Sequence, residues 1–347
     1  MGRRHPAARV FDHQRRHRRL PNLLAQRGLL DIDAPVADYW PEFAQAGKSE
    51  IPVRWLLCHK AGLAALDADL TLEQVLAWDP VIHALEVQAP IWEPGTAHGY
   101  HATTFGWLVG EVVRRADRDH RTLGQFFSQE IAQPLGLDWY IGLPPEFEDR
   151  VAALPGTLVP DAATEPELFE LYNVFLGPET MLGRALNAPS NVWAAEGVWN
   201  QPAVHAAEIP AANGITNARS VARFYAGLVA DLPASGNGKQ PASDAVLEPA
   251  QVEAARTAQT EGADLVLMGE SKFGLGYLTA SEFSPYGGAG AFGHAGAGGS
   301  LGFTDPENGL AFGYVMNRMN LNLSGDPRTD ALTRAMYQAA GAPAPYL

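Results

Sequence analysis

Three local patterns carry side chains able to do chemistry. Leu56-Leu57-Cys58-His59-Lys60-Ala61-Gly62-Leu63 sets a thiol beside an imidazole. Trp92-Glu93-Pro94-Gly95 is followed, five residues after the glycine, by Tyr100-His101-Ala102. Gly293-His294-Ala295-Gly296 begins a glycine-rich stretch that runs to Gly302. Each pattern has a chemical reading and a plainer one. Adjacent side chains do not normally face each other, so Cys58 and His59 make no nucleophile–base pair, and Cys58 reads as a small buried hydrophobe. His98 and His101 stand three apart, a spacing that can serve a metal, but no third ligand is evident nearby and no metal is expected. Gly296 to Gly302 lacks the strand–loop–helix setting of a phosphate loop. Tyr100 and His294, taken singly, read as packing residues as readily as reactive ones.

The segments around these patterns predict mixed elements. Residues 22–31 read as the end of a helix closed by Gly28. Thr71 caps a short helix through Trp78, stopped by Pro80. Phe105, Leu108, Val109, Val112 and Val113 have buried-helix spacing within 103–117. Thr122 starts another helix through Ala132, ended by Pro134 and Gly136. Residues 155–212, rich in Pro, Asn and Gly, predict an irregular, partly helical insertion. Asn217 caps an amphipathic helix with Val221, Phe224, Tyr225 and Leu228 facing inward. Residues 233–245 look like a surface loop. Apolar runs at 299–305 and 310–317 flank Pro306-Glu307-Asn308-Gly309, and the Asn-Gly turn predicts an antiparallel hairpin. A last helix runs from about Thr329 to Ala340. This order predicts an α+β architecture: an antiparallel sheet flanked by helices, plus a mainly helical region.

Composition narrows the function classes. The chain has 347 residues, 46% of them hydrophobic, enough for the core of one large domain or two packed ones. A formal charge of −14 argues against a nucleic-acid or anionic-membrane partner for the body of the protein. Cys58 is the single cysteine, so no internal disulfide forms, which fits a reducing compartment. No stretch approaches the roughly 20 apolar residues of a membrane span, and no apolar secretory segment is visible. A cytoplasmic location is expected. The first twenty residues stand apart, with Arg3, Arg4, Arg9, Arg15, Arg16, Arg18 and Arg19 against Asp12 alone. Such an arm reads as a tether to an anionic partner, as a transit peptide, or as sequence foreign to the fold. Residues 1–21 are therefore set apart from a domain over 22–347.

With Asn213-Gly214-Ile215-Thr216-Asn217-Ala218-Arg219 and Phe273-Gly274-Leu275-Gly276-Tyr277, the three patterns follow the order and spacing of one superfamily. The chain resembles the class C β-lactamases, D-alanyl-D-alanine carboxypeptidases and family VIII carboxylesterases over roughly residues 22–340. The resemblance implies a β-lactamase/penicillin-binding-protein-like fold and three catalytic elements. A Ser-x-x-Lys motif opens a helix, its serine attacking an ester or amide carbonyl while the lysine one turn on helps remove the proton. A tyrosine in a Tyr-x-Asn-like motif shares general-base duty and protonates the leaving group. A Lys-Thr-Gly-like strand, often His-x-Gly in the esterases, holds substrate and helps define the oxyanion hole. Tyr100 matches the tyrosine, with Ala102 in place of the asparagine. His294 and Gly296 match the His-x-Gly form, which leans towards an esterase. No cofactor is implied, and the partner is a small ester or amide substrate.

The nucleophile motif is missing. The four lysines are Lys48, Lys60, Lys239 and Lys272, and three residues before them stand Gln45, Leu57, Gly236 and Gly269. The resemblance places Ser-x-x-Lys near Phe11–Arg15, inside the basic arm. Phe11 to Arg19 can be coded TTC GAC CAC CAA AGG CGT CAC CGC CGC. Read one base later, that gives Ser-Thr-Thr-Lys-Gly-Val-Thr-Ala, and the out-of-frame codons account for the arginines. Residues 1 to about 21 thus read as a frame-shifted translation, with the N-terminal strands of the sheet missing and an edge exposed. Without the serine no acyl-enzyme forms. Without the lysine, Tyr100 lacks the cation that would lower its pKa from about 10. The expectation is a short-chain carboxylesterase, truncated and inactive as written. The alternatives are a non-catalytic binding protein that keeps the pocket around Tyr100 and His294, and a β-lactamase or D-Ala-peptidase-like amidase.

Overall fold

The computed structural model describes residues 8–9, 19–155, 159–229, 246–282, 284–320 and 325–343. The loop expected at 233–245 and the nucleophile position expected at Phe11–Arg15 lie outside them. A small sheet joins β1 (Ala8–Arg9), β2 (Trp139–Tyr140) and β3 (Ile215–Thr216) in the order β1-β3-β2. Two residues of the basic arm therefore pair, through their backbone, with the body of the protein.

The larger sheet is an antiparallel meander of six strands in chain order. They are β4 (Thr260–Ala263), β5 (Glu270–Phe273), β6 (Leu278–Thr279), β7 (Phe292–Gly296), β8 (Ser300–Asp305) and β9 (Leu310–Tyr314). The Asn308-Gly309 turn joins β8 to β9 as the sequence predicts, with Leu301 opposite Tyr314. His294 on β7 stands opposite Gly302, and Gly296 opposite Ser300. Every residue of β8 is buried, because helices cover both faces. One is Ala218–Leu228, capped by Asn217, whose side chain accepts from the Ser220 N–H. Its backbone lies so close to β9 that a Cβ on Gly313 would fall 2.5 Å from Ala218 O. The other is Pro327–Ala340, seated through Tyr337 in an apolar cluster with Phe303 and Tyr286.

The helical region is built on Thr104–Ala116, whose first ten residues are all buried. Its buried Glu111 accepts hydrogen bonds from Trp78, Arg114 and Arg115. Thr71 and Thr122 both form capping boxes, with Gln74 and Gln125. The first of these helices ends at Leu76. Pro80 lies in the first turn of a further helix, Asp79–Val87, where its missing N–H costs nothing; the sequence reading took it only as a stop. The Thr122 helix runs Leu123–Phe127 and widens into a π turn over Ser128–Ala132. The insertion is partly helical, with helices at Pro166–Leu176, Met181–Asn187 and Pro202–Ala206.

Tyr337 ties the terminal helix to the sheet through buried hydrogen bonds. Tyr337 Oη donates to Asp305 Oδ2 at 2.5 Å and accepts from the Gly288 N–H at 3.2 Å. Burial, with the Asp305 carboxylate beside it, raises the phenol pKa. Tyr337→Phe removes one of the two acceptors of the Gly288 N–H, which still donates to Asp305 Oδ2 at 3.2 Å, and leaves Asp305 with one donor fewer. The expected loss is about 1–3 kcal/mol, read as a lower urea midpoint with unchanged slope.

Candidate active site

The tyrosine segment is held in place by backbone bonds to the His59 segment. Ile91 N–H donates to Gly62 O, Gly95 N–H to Lys60 O, and Gly99 N–H to His59 O, at 2.7, 2.9 and 3.1 Å. Gly95 has φ +84°, and a Cβ there would fall 2.4 Å from the Trp55 ring. The turn after Glu93-Pro94 therefore requires glycine on both counts. His101 completes the junction. Its Nε2 accepts the Leu63 N–H at 2.9 Å and its Nδ1 donates to Gly99 O at 2.7 Å. Both ring nitrogens are thus used by one neutral tautomer. Burial holds the His101 pKa down to about 4.

From the other side, Asp264 in the β4–β5 turn grips the same segment. Its Oδ1 accepts the N–H groups of Tyr100, Val266 and Leu267, at 3.1, 2.8 and 2.9 Å. Its Oδ2 accepts the Ser271 hydroxyl at 2.7 Å. That hydroxyl's one proton is then committed, so its oxygen accepts from His98 Nε2 at 3.0 Å. Burial lowers the His98 pKa.

Between these supports sits Tyr100, half-buried. Its ring stacks on Phe273, 6.2 Å between centroids and 3° between planes, and on His294 at 5.7 Å and 25°. His59 lies tilted at 5.5 Å. His294 is buried on β7, and Gly296 lies two residues along on the same face. Gly296 also borders a small cavity with Gly299, Ser300 and the start of the terminal helix. The structure therefore brings Tyr100 and His294 together and sets Gly296 next along the strand. Ala102 is buried in an apolar cluster with Ala64, Leu182, Ala185 and Val266.

Other sequence candidates have structural roles. Cys58 is buried and its thiol is pushed up to about 12, so it is protonated at neutral pH. His98 and His101 use their nitrogens on Ser271, Leu63 and Gly99. Among the described residues no group of three or more His, Cys, Asp or Glu could hold a metal. Sequence reasoning missed Asp264, Ser271 and Phe273 as neighbours of Tyr100. Phe273 opens one of the motifs, but Asp264 and Ser271 carry no local signal.

Residues 20–336 match the family described as Beta-lactamase. The chain is 35% identical over 307 residues to the Esterase/beta-lactamase LipL of Mycobacterium tuberculosis, a match over 85% of this chain and 65% of that protein. It thus spans a little less than two thirds of that relative's length. Among solved structures, a family VIII carboxylesterase superposes with TM-score 0.78 at 33% identity, over 96% of this chain and 83% of that one. EstA from Arthrobacter nitroguajacolicus Rue61a gives 0.80 at 31%, over 97% and 85%. A penicillin-binding protein homologue from Caulobacter crescentus gives 0.78 at 34%, over 96% and 84%. The fold expected from the sequence, β-lactamase/penicillin-binding-protein-like, is the fold observed.

Two predictions follow from the supports of Tyr100. Protonating His101 would set a second N–H against that of Leu63. Between the ordinary value of 6.5 and about 4, the unfolded chain binds this proton and the folded chain does not. Stability is therefore full above 6.5 and falls as pH drops through that window, by about 3 kcal/mol from this group. Urea midpoints of wild type and His101→Gln from pH 7 to 4 measure it, the variant showing the shallower dependence. Asp264→Ala leaves three backbone N–H groups without an acceptor and costs about 3 kcal/mol, whereas Asp264→Asn keeps one acceptor oxygen and costs less.

Proposed function

We infer the function from one premise: this chain belongs to the Beta-lactamase family, serine hydrolases with carboxylesterases among their members that act on ester or amide substrates. We propose that the site around Tyr100 is a carboxylesterase centre for short-chain esters, and that the chain as written does not turn over. The observation that carries the first part is the stack of His294 on Tyr100, with Gly296 two residues along the same strand. A His-x-Gly strand beside the tyrosine is the arrangement that the esterase form of the motif requires. Ala102 supports an ester rather than a β-lactam or D-Ala peptide substrate. Its position, where a Tyr-x-Asn motif would carry an amide side chain, is filled by apolar packing.

In a complete centre of this kind, the serine oxygen forms a bond to the acyl carbon and loses its proton to the tyrosine–lysine pair. The carbon–alkoxide bond breaks, and the tyrosine passes that proton to the departing alcohol. Water then attacks the acyl-enzyme by the same path. This sequence contains no Ser-x-x-Lys. Related serine enzymes without their nucleophile keep only roughly 10³–10⁴-fold acceleration over water. The same absence favours a second reading, a non-catalytic protein that retains the pocket to bind a ligand. We propose further that residues 1–21 are foreign to the fold. The family match starting at residue 20 supports this for residues 1–19, while Leu20 is buried in the core. The pairing of Ala8–Arg9 with β3 is compatible with it, since backbone ladders do not depend on side-chain identity.

The test is fluorophosphonate labelling, with p-nitrophenyl butyrate and nitrocefin as substrates. The chain as written should neither label nor turn over. The variant carrying Phe11→Ser, Asp12→Thr, His13→Thr, Gln14→Lys, Arg15→Gly, Arg16→Val, His17→Thr and Arg18→Ala should label and hydrolyse the butyrate in preference to nitrocefin. Adding Tyr100→Phe to it should lower kcat by about 10²-fold or more. Labelling of the unaltered chain would overturn the inactive reading.

A further inference from the structure

His59 occupies a backbone position that normally belongs to glycine. The helix Val53–Leu57 ends at Cys58. Beyond it, the Lys60 N–H donates to Trp55 O at 2.8 Å and the His59 N–H to Leu56 O at 3.4 Å. This pair of bonds closes a helix through a left-handed residue, and His59 is that residue, with φ +63°. Glycine is usual there because a Cβ crowds the neighbouring carbonyl. Backbone strain of this kind persists where the surrounding structure holds it, and it clusters at functional sites.

The strained residue sends its side chain to Tyr100. The His59 ring is fully buried. Its centroid lies 5.5 Å from that of Tyr100, 4.4 Å from Phe273 and 5.0 Å from Phe105. Phe273 is itself stacked on Tyr100, so His59 backs both members of the stack. His59 Nδ1 accepts the backbone N–H of His101, the residue after Tyr100, at 3.2 Å. The ring proton therefore sits on Nε2. The His59 carbonyl accepts the N–H of Gly99, the residue before Tyr100, at 3.1 Å. One residue thus holds the backbone on both sides of Tyr100 and the flank of its ring.

Few side chains meet these demands together. Asparagine tolerates the left-handed backbone and offers an acceptor, but it brings no ring. Phenylalanine brings a ring but no acceptor for the His101 N–H. Glycine relieves the backbone and supplies neither. Histidine combines an aromatic ring with a ring-nitrogen acceptor. We propose that His59 is the positioning residue of the Tyr100 site: set in a left-handed turn, it fixes where the Tyr100 hydroxyl is presented and acts on the reaction only through Tyr100. The proposal rests on reading Tyr100 as the reactive residue of an esterase centre, and it adds what sets the aim of that residue.

The position of Tyr100 is measured on the chain as it stands, labelled with 3-fluorotyrosine and observed by fluorine NMR. Among the ten tyrosines, the Tyr100 resonance is the one lost in Tyr100→Phe. Wild type should give a single narrow Tyr100 line. His59→Asn loses stability, since a buried ring is removed. Below its unfolding temperature, the lines of Tyr39 and Tyr140 should stay in place while that of Tyr100 shifts and broadens. In the repaired chain, with Phe11→Ser, Gln14→Lys and the other arm substitutions, His59→Asn and His59→Phe should each lower kcat for p-nitrophenyl butyrate at least about tenfold with KM little changed. A merely structural role would lower stability and leave the Tyr100 line and kcat alone. If His59→Asn does not fold, His59→Phe carries both measurements, and failure of both to fold assigns His59 to the fold and overturns the proposal. An unchanged Tyr100 line in a folded variant, or equal displacement of the Tyr39 and Tyr140 lines, also overturns it. Failure of the repaired chain to label with fluorophosphonate would remove the esterase reading and leave the NMR result standing.

Discussion

The carboxylate of Asp264 accepts four hydrogen bonds, three from backbone N–H groups and one from Ser271. That single buried group sets where Tyr100 sits relative to the sheet. It belongs to the turn between β4 and β5, so the placement of the tyrosine depends on a strand pair more than 160 residues away in sequence. The carboxylate has no room to rotate, since both oxygens are engaged. The rest of the site is arranged around that fixed point: Phe273 one strand along, His294 two strands further, and His59 beneath.

The second constraint acts from the helical side. His101 links Leu63 to Gly99 through its two ring nitrogens, and its backbone N–H donates to His59 Nδ1 at 3.2 Å. A histidine often signals chemistry because it titrates near neutrality. Here burial removes that property and leaves a rigid two-ended hydrogen-bonding spacer. The pair of constraints explains why Tyr100 can stand half-exposed between two regions of the protein without mobile support. Each region grips the backbone next to it, and the aromatic stack fills the space between.

Much of this was legible in the sequence, and the limits have a physical cause. Local rules located the elements: the Asn217 cap, the capping boxes at Thr71 and Thr122, and the Asn308-Gly309 hairpin. Ordered motifs located Tyr100 and His294, and the structure brings their rings together. Asn213, quoted as part of a motif, proves structural: its side chain binds Val204 O and accepts the Ile209 N–H. What could not be read were contacts set by tertiary pairing. Asp264 and Ser271 stand in unremarkable local sequence, and their role arises only when β4 and β5 pair beside the tyrosine.

The same division explains how a chain without Ser-x-x-Lys retains an ordered site. The groups that shape the Tyr100 environment are carboxylate, imidazole, hydroxyl and ring contacts within residues 59–105 and 264–294. None of these contacts uses a serine or lysine from the basic arm. Among the described contacts, the position of Tyr100 is therefore set from the β4–β5 turn through Asp264 and from its own segment through His101, both far along the sequence from the arm.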